Sequence, residues 1–318
     1  MFIKFLALFL KSLLQYMCMK SVVKLSPAIK SYIWGGSFFQ KYGKGNEEEI
    51  ISELWELSTR EDSSLVVSGE DKGKYLKDVI SKEDLGPKGN VFPYFPLLIK
   101  LIDAKENLSV QVHPSDDYAL KYENSFGKTE MWIVLSNDEG AGLYIGLKED
   151  CSKEQIKESL EKGSVLELLN FFPVKPGDVF LINSGTIHAI GKGVRIMEIQ
   201  QNSDLTYRLY DYNRLDKNGN PRELHIQKAL NVIDTHKYEK EESKGELLED
   251  TKYFKVARKE IKGELTLKAN QGSFMSFTFI SGKGKVNEID YNIYDTFFLP
   301  YGKECTIKGD GIIIISYL

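Results

Sequence analysis

Histidine is the side chain most ready to act near neutral pH, and this sequence has only four, each in a different setting. His113 closes the run LSVQVHP, where Gln111 and His113 stand two apart, a parity that sends both side chains to one face of a strand. Glu130, in GKTEMWIVL, is an acid at the mouth of an apolar strand-like run, and a carboxylate entering a core requires a partner. His188 lies in GTIHAIGKG, a turn that delivers an imidazole between two strands. Together these residues offer one amide oxygen, two imidazoles and one carboxylate. Such donors suit a divalent borderline metal, Zn²⁺ first, with a position left open for water or substrate, and the lack of thiolates argues against a closed structural zinc site. A single histidine in such a strand is more often a hydrogen-bonded core residue; the shared parity of Gln111 and His113, with two further donors at strand ends, favours the metal. His225, on a helical run, and His236, in a polar stretch, read as structural and solvated.

Two more charges sit where burial penalises them. Lys100 interrupts FPLLIKLI, where an unpaired ammonium would cost on the order of several kcal/mol. Snorkelling to a strand end is the plain alternative, and a polar cavity the better account. Glu198, in MEIQQ, is an acid in an apolar strand. It reads equally as a proton-transfer base with a raised pKa or as a partner that orients a ligand or a cation.

Positioning these groups falls to strands. Seven runs, at 95–101, 108–112, 131–135, 142–147, 179–183, 194–200 and 205–211, are rich in Val, Ile, Leu, Phe and Tyr and bounded by turn residues. With no βα alternation they predict an antiparallel barrel or sandwich. Helices are expected at 46–58, behind an Asn cap and an acidic first turn, at 152–162, from the capping box Ser152/Gln155, at 222–234, and at 164–171. The polar stretch 237–252 reads as a linker, which divides a catalytic region, 22–236, from a strand-rich C-terminal domain, 253–318. Ahead of both, residues 1–21 form an apolar extension. Its apolar core is short, a lysine interrupts it and no small-residue cleavage pattern follows, so it reads as an extension or a misassigned start rather than an export signal.

An internal echo joins the two regions. DVFLINSGTIHAI (178–190) and DTFFLPYGKECTI (295–307) match at Asp178/Asp295, Phe180/Phe297, Gly185/Gly302 and Ile190/Ile307 with a constant offset of 117. Fixed-offset self-similarity points to duplication, and the C-terminal copy has Cys305 where the first has His188. That copy is expected to hold no metal.

Composition narrows the partners. With 42 Lys+Arg against 46 Asp+Glu and no basic block, the chain has no footing for nucleic acid or an anionic membrane surface. Three scattered cysteines favour a reducing compartment, the cytoplasm.

The runs FPLLIKLIDAKENLSVQVHPSDDYA, GKTEMWIVL, GTIHAIGKG and EIQQNSDLTYRLYDYNRLDKNGNPRELHIQKAL, with Ile33-Trp34-Gly35-Gly36 and Glu53-Leu54-Trp55, resemble the type I mannose-6-phosphate isomerases, in particular their short bacterial form. The likeness spans about 22–234 and loosens beyond. It implies a mainly β fold of two cupin-type (jelly-roll) barrels with a few packing helices. It also implies one zinc per chain on Gln111, His113, Glu130 and His188, with Arg208 of YRLYDY catalytic and Lys100 and Lys128 at the substrate; Glu198, from its own setting, is placed at the substrate beside them. The activity implied is exchange between mannose 6-phosphate and fructose 6-phosphate through an enediolate. Asn183-Ser184 stands where the family usually has Pro-Ala, which reads as loop variation, and the apolar N-terminus is also unlike the family. Two other functions suit the same barrel: a non-catalytic sugar-phosphate-binding cupin, and an iron oxygenase, which prefers a site with more open positions.

Overall fold

A computed structural model of the chain describes residues 18–46, 49–216, 218–240 and 245–318; most of the apolar extension (1–17) and part of the polar stretch (241–244) lie outside the described residues. The fold is mainly β, and its ladders are antiparallel, with all seven strands expected from the sequence present.

The described residues divide into two compact units, one made of 18–28, 56–96 and 250–318, the other of residues within 29–55 and 97–249. These differ from the contiguous boundaries read from the sequence. The reason is pairing: Val23–Ser26 lies between Thr296–Leu299 and Leu65–Val66, so segments far apart in the chain share one sheet. Within the expected linker, Leu247–Asp250 is a strand.

The unit of 29–55 and 97–249 carries the candidate donors. One sheet runs, in spatial order, Val179–Ile182, Glu130–Asn137, Val194–Gln201, Leu97–Ala104, Glu53–Leu57 and Ala28–Lys30. The other runs Tyr207–Tyr210, Val110–Val112, His188–Ile190, Gly142–Leu147 and Leu169–Pro173. A single buried cluster takes Ile102, Trp132, Val134, Phe180 and Ile196 from the first sheet and Leu143, Ile145 and Ile190 from the second, so the two sheets face each other as a sandwich. Each such side chain contributes about 1.5–3 kcal/mol by leaving water. The outer face of the second sheet, with Val110, Val112, Ala189, Tyr207 and Leu209, packs on Ile156, Leu160, Ala229 and Leu230 of the helices Lys153–Glu161 and Ile226–Val232. Alternation then sends Gln111, His188 and Arg208 to the inner face.

The helix at Lys153–Glu161 starts on the expected capping box, with the Ser152 hydroxyl accepting from Gln155 N–H at 3.2 Å and the Gln155 amide oxygen accepting from Ser152 N–H at 2.7 Å. Three helix expectations change. Residues 46–58 do not form a helix; Glu53–Leu57 is an interior strand whose side chains are buried on both faces, and that burial imitates helical spacing. The helix expected at 164–171 is confined to Val165–Leu168 before the chain turns into Leu169–Pro173, and that at 222–234 to Ile226–Val232.

In the other unit the sheet path runs Lys255–Lys268, Glu304–Tyr317, Met275–Val286, Thr296–Leu299, Val23–Ser26 and Leu65–Val66. Its core is aromatic, with Phe277 stacked on Phe297 at 5.4 Å between ring centres. No helix among the described residues is long and apolar enough to cross a membrane.

Candidate active site

Register brings the candidate donors together. His188 lies directly across from Gln111 on neighbouring strands, and Glu130 pairs with Ile182 at the end of the strand that leads into the His188 turn. Gly185 makes that turn possible: its φ of 90° is open to glycine at little cost, and its N–H donates to His113 O at 2.8 Å, tying the turn to the strand end of the other histidine.

Backbone carbonyls orient both rings. His113 Nδ1 donates to Leu205 O at 3.0 Å and His188 Nδ1 to Thr186 O at 2.8 Å, which leaves each Nε2 with its lone pair free to face inward. The two Nε2 atoms converge on Glu130, at 3.7 Å from Oε2 for His113 and 3.4 Å from Oε1 for His188. The possible ligand atoms of these three buried residues all lie within 4.8 Å of one another. Gln111 adds its amide 3.3 Å from His188 Nε2, and a half-turn of that amide exchanges nitrogen for oxygen. Lys128 reaches into the same group, with Nζ at 3.2 Å from His113 Nε2 and in contact with Glu130 Oε2.

Protonation is set by burial. Desolvation, with the Lys128 charge adding to it, lowers the His113 pKa to about 4, and burial lowers that of His188. For Glu130 burial acts upward, but Lys128 and the two imidazoles outweigh it and hold the carboxyl well below its usual range. Two neutral imidazoles and a carboxylate at neutral pH are the forms that bind a divalent cation. Glu130 Oε1 is buried with no hydrogen-bond partner among the described residues, an arrangement that a cation would complete. The donor set therefore fits a metal ion.

A cavity of about 330 Å³ opens beside this cluster, lined among others by Trp34, Trp55, Lys100, Gln111, Lys128, Glu198, Arg208 and Arg222, a size suited to a sugar phosphate. Lys100 is paired rather than snorkelling: its ammonium is 3.0 Å from Glu198 Oε1 and 3.7 Å from Glu53 Oε2. Burial pulls its pKa down, yet Glu198 and Glu53 prevail and raise it, so it stays charged. Glu198 also accepts the Trp132 indole N–H at 3.1 Å, and Lys128 Nζ lies 3.6 Å from its other oxygen.

Arg208 sits across from Gln111, with Tyr207 and Leu209 turned into the outer core. It has no ion pair with Glu198 or Asp211 among the described residues; Asp211 is instead gripped by Arg214 and by Arg222, whose Nε donates at 2.7 Å. Arg208 Nη1 donates to Glu223 O at 2.8 Å, and its buried Nε has no partner among the described residues. His225 and His236 stand apart from the donor cluster, His225 hydrogen-bonded to the Arg208 backbone and His236 exposed beside Asp234.

Glu53, Trp55 and Arg222 are among the lining residues that sequence reasoning missed. Glu53 and Trp55 share a face only on a strand, so the helical reading hid them, although the Trp55 indole donates to Glu53 at 2.7 Å. Arg222 gave no signal of its own, because its orientation depends on Asp211, eleven residues earlier.

Comparison with known proteins gives the family. The family profile described as phosphomannose isomerase type I, catalytic domain, matches residues 22–144. The chain is 36% identical over 309 residues to mannose-6-phosphate isomerase ManA of Bacillus subtilis, covering 92% of this chain and 97% of that one. It is 43% identical over 203 residues to mannose-6-phosphate isomerase of Streptococcus mutans, covering 63% and 64%. The crystal structure of mannose 6-phosphate isomerase from Bacillus subtilis superposes with a TM-score of 0.83 at 35% identity, over 94% of this chain and all of that one. A relative this similar along nearly its whole length, a matching fold and a metal-competent donor cluster lead to one conclusion: the chain belongs to the type I phosphomannose isomerases.

Proposed function

We propose that the protein interconverts mannose 6-phosphate and fructose 6-phosphate, using one zinc ion per chain held by Gln111, His113, Glu130 and His188. The observation that carries this reading is the convergence of those donors beside a cation-lined cavity, in a chain whose relatives are named for that reaction. Nitrogen and carboxylate donors without thiolates suit zinc among the available metals.

The reaction moves a proton between C2 and C1 of the sugar and passes through an enediolate, whose growing negative charge must be stabilised. A bound divalent cation supplies Lewis acidity there. The chain's own part is electrostatic. Arg208 presents an unpartnered Nε and a permanent charge beside Gln111, suited to oxygens that become negative. Lys100 and Lys128, braced by Glu198, line the cavity wall, and Arg222, braced by Asp211, adds a second guanidinium. A phosphate dianion is well served by this excess of donors. The commitment of Glu198 to Lys100 and Trp132 supports its role as a brace for the substrate lysines. Three free cysteines, at 18, 151 and 305, accord with a reaction carried out in the cytoplasm.

The test is a coupled assay with mannose 6-phosphate on metal-analysed protein. Turnover that disappears on chelation and returns with zinc supports the reading. Tight sugar-phosphate binding without turnover in the zinc-loaded protein would establish the binding-only cupin instead.

A further inference from the structure

We infer that His225 is a positioning residue for Arg208: its neutral imidazole takes the place of a missing strand neighbour and fixes the arginine against the metal-binding wall. The inference rests on the isomerase reading above, through the role given there to Arg208. Tyr207–Tyr210 is the edge strand of its sheet, with Val110–Val112 on one side only. At Arg208 both backbone groups face outward from that pairing, and His225 satisfies both. Arg208 N–H donates to His225 Nδ1 at 3.1 Å, while His225 N–H donates to Arg208 O at 2.7 Å. Because neither group is spent on Gln111, the Arg208/Gln111 pair is of the non-hydrogen-bonded kind, the one in which opposite side chains stand closest.

The same segment holds the side chain. Glu223 O accepts from Arg208 Nη1 at 2.8 Å, so three hydrogen bonds from residues 223–225 fix Arg208 at its backbone and at its tip while its Nε stays unpartnered. A ring nitrogen can stand in for a strand carbonyl only while it accepts. Nδ1 must therefore be unprotonated, with the ring proton on Nε2, 3.8 Å from Glu223 Oε2. The charged and titratable groups around the ring are Glu223, Arg208, Lys228 and Glu123, with Tyr207 against it at 6.3 Å between ring centres. Burial and the two cations oppose protonation, and the two carboxylates favour it. Protonation would place a hydrogen on Nδ1 facing the Arg208 N–H and end the bond.

The zinc-loaded enzyme with His225→Ala and His225→Asn separates positioning from general support. Asparagine keeps an acceptor oxygen near the Nδ1 position and does not titrate. His225→Ala should lower kcat by about 10- to 100-fold, the scale for a slightly misplaced catalytic group, with kcat/KM falling in step and zinc content unchanged. His225→Asn should recover most of that loss and should shift or remove the acid limb of the kcat profile. Wild-type kcat in His225→Ala, loss of zinc, or an asparagine variant no better than alanine would overturn the inference. Should the zinc-loaded wild type fail to isomerise mannose 6-phosphate, the functional reading falls alone. Deuterium exchange at the Arg208 amide then decides this one: faster exchange in His225→Ala supports it, and unchanged protection overturns it.

Discussion

Two strand-turn-strand segments 117 residues apart fold alike and do opposite things with their interiors. In both, an aspartate closes the entry turn: Asp178 accepts from Lys175 N–H at 2.9 Å and Asp295 from Asn292 N–H at 2.8 Å. The left-handed position just before it is Gly177, at φ 91°, in one and Tyr294, at φ 69°, in the other. Each second turn has a glycine whose N–H reaches a strand-end carbonyl, Gly185 to His113 and Gly302 to Ala269. Register then matches the surrounding residues one by one. His188 faces Gln111 as Cys305 faces Leu267, Ile182 faces Glu130 as Leu299 faces Met275, and Trp132 faces Glu198 as Phe277 faces Ile315. The positions of Gln111, His113, Glu130 and His188 are thus held in the C-terminal unit by Leu267, Ala269, Met275 and Cys305, all within one buried apolar cluster. The lesson is physical. A donor set left buried without its cation is costly at every member, so a barrel that holds no metal does best with none of the set. Burial, with Glu304 adding to it, pushes the Cys305 thiol up to about 12, which keeps it protonated and a poor ligand.

Swapping chemistry between the two copies gives the largest expected effect. His188→Ala or His113→Ala should remove bound metal and lower turnover by about 10⁴-fold or more, since the Lewis acid is worth several kcal/mol, whereas Cys305→Ala should leave metal content and kcat unchanged. Metal analysis beside the coupled assay checks both arms. Next in size is the apolar core that replaces the site. Phe297→Ala removes a ring packed on Phe277 and Phe279 and should destabilise the C-terminal unit by about 3–5 kcal/mol, with metal still bound in the other unit, as read by denaturant unfolding and metal content on one sample.

Arg208→Ala comes third, with kcat down about 10²-fold while zinc content and Tm hold. A destabilised variant whose folded fraction turns over at the wild-type rate would refute the catalytic role. The smallest effect concerns pH in the metal-free protein. His113 and His188 are harder to protonate folded than unfolded, His113 with a pKa of about 4 against 6.5, so the unfolded chain takes up protons first as pH falls. For His113 the contribution is complete above about 6.5 and is lost toward about 4, by roughly 1 kcal/mol per pH unit in that window, and His188 adds to it in the same direction. Hydrogen exchange from pH 7 to 5 should show the loss in the strands around His113 and His188. The C-terminal unit, with no histidine, should stay protected.

Much of this comparison was legible in the sequence, for reasons that particular residues make plain. Parity put Gln111 and His113 on one wall, and the echo placed Cys305 opposite His188, because strand alternation and turn residues are local signals. The strand at Glu53–Leu57 was read as a helix, since burial on both faces erases the alternation that marks a strand. The compact units differ from the contiguous boundaries for a related reason: Val23–Ser26 pairs with the C-terminal strands through ladder bonds to Thr296–Leu299, which leave no mark on local composition. The grip of Asp211 on Arg222 and of His225 on Arg208 depends in the same way on where loops return.

The central claim is that one copy of the duplicated barrel works through a metal and the other does without. Chelating the purified protein, then titrating zinc back while following turnover of mannose 6-phosphate and bound zinc together, tests it most directly. Activity should rise linearly and stop at one zinc per chain. Full activity before zinc is added, or a plateau only at two per chain, would contradict the account.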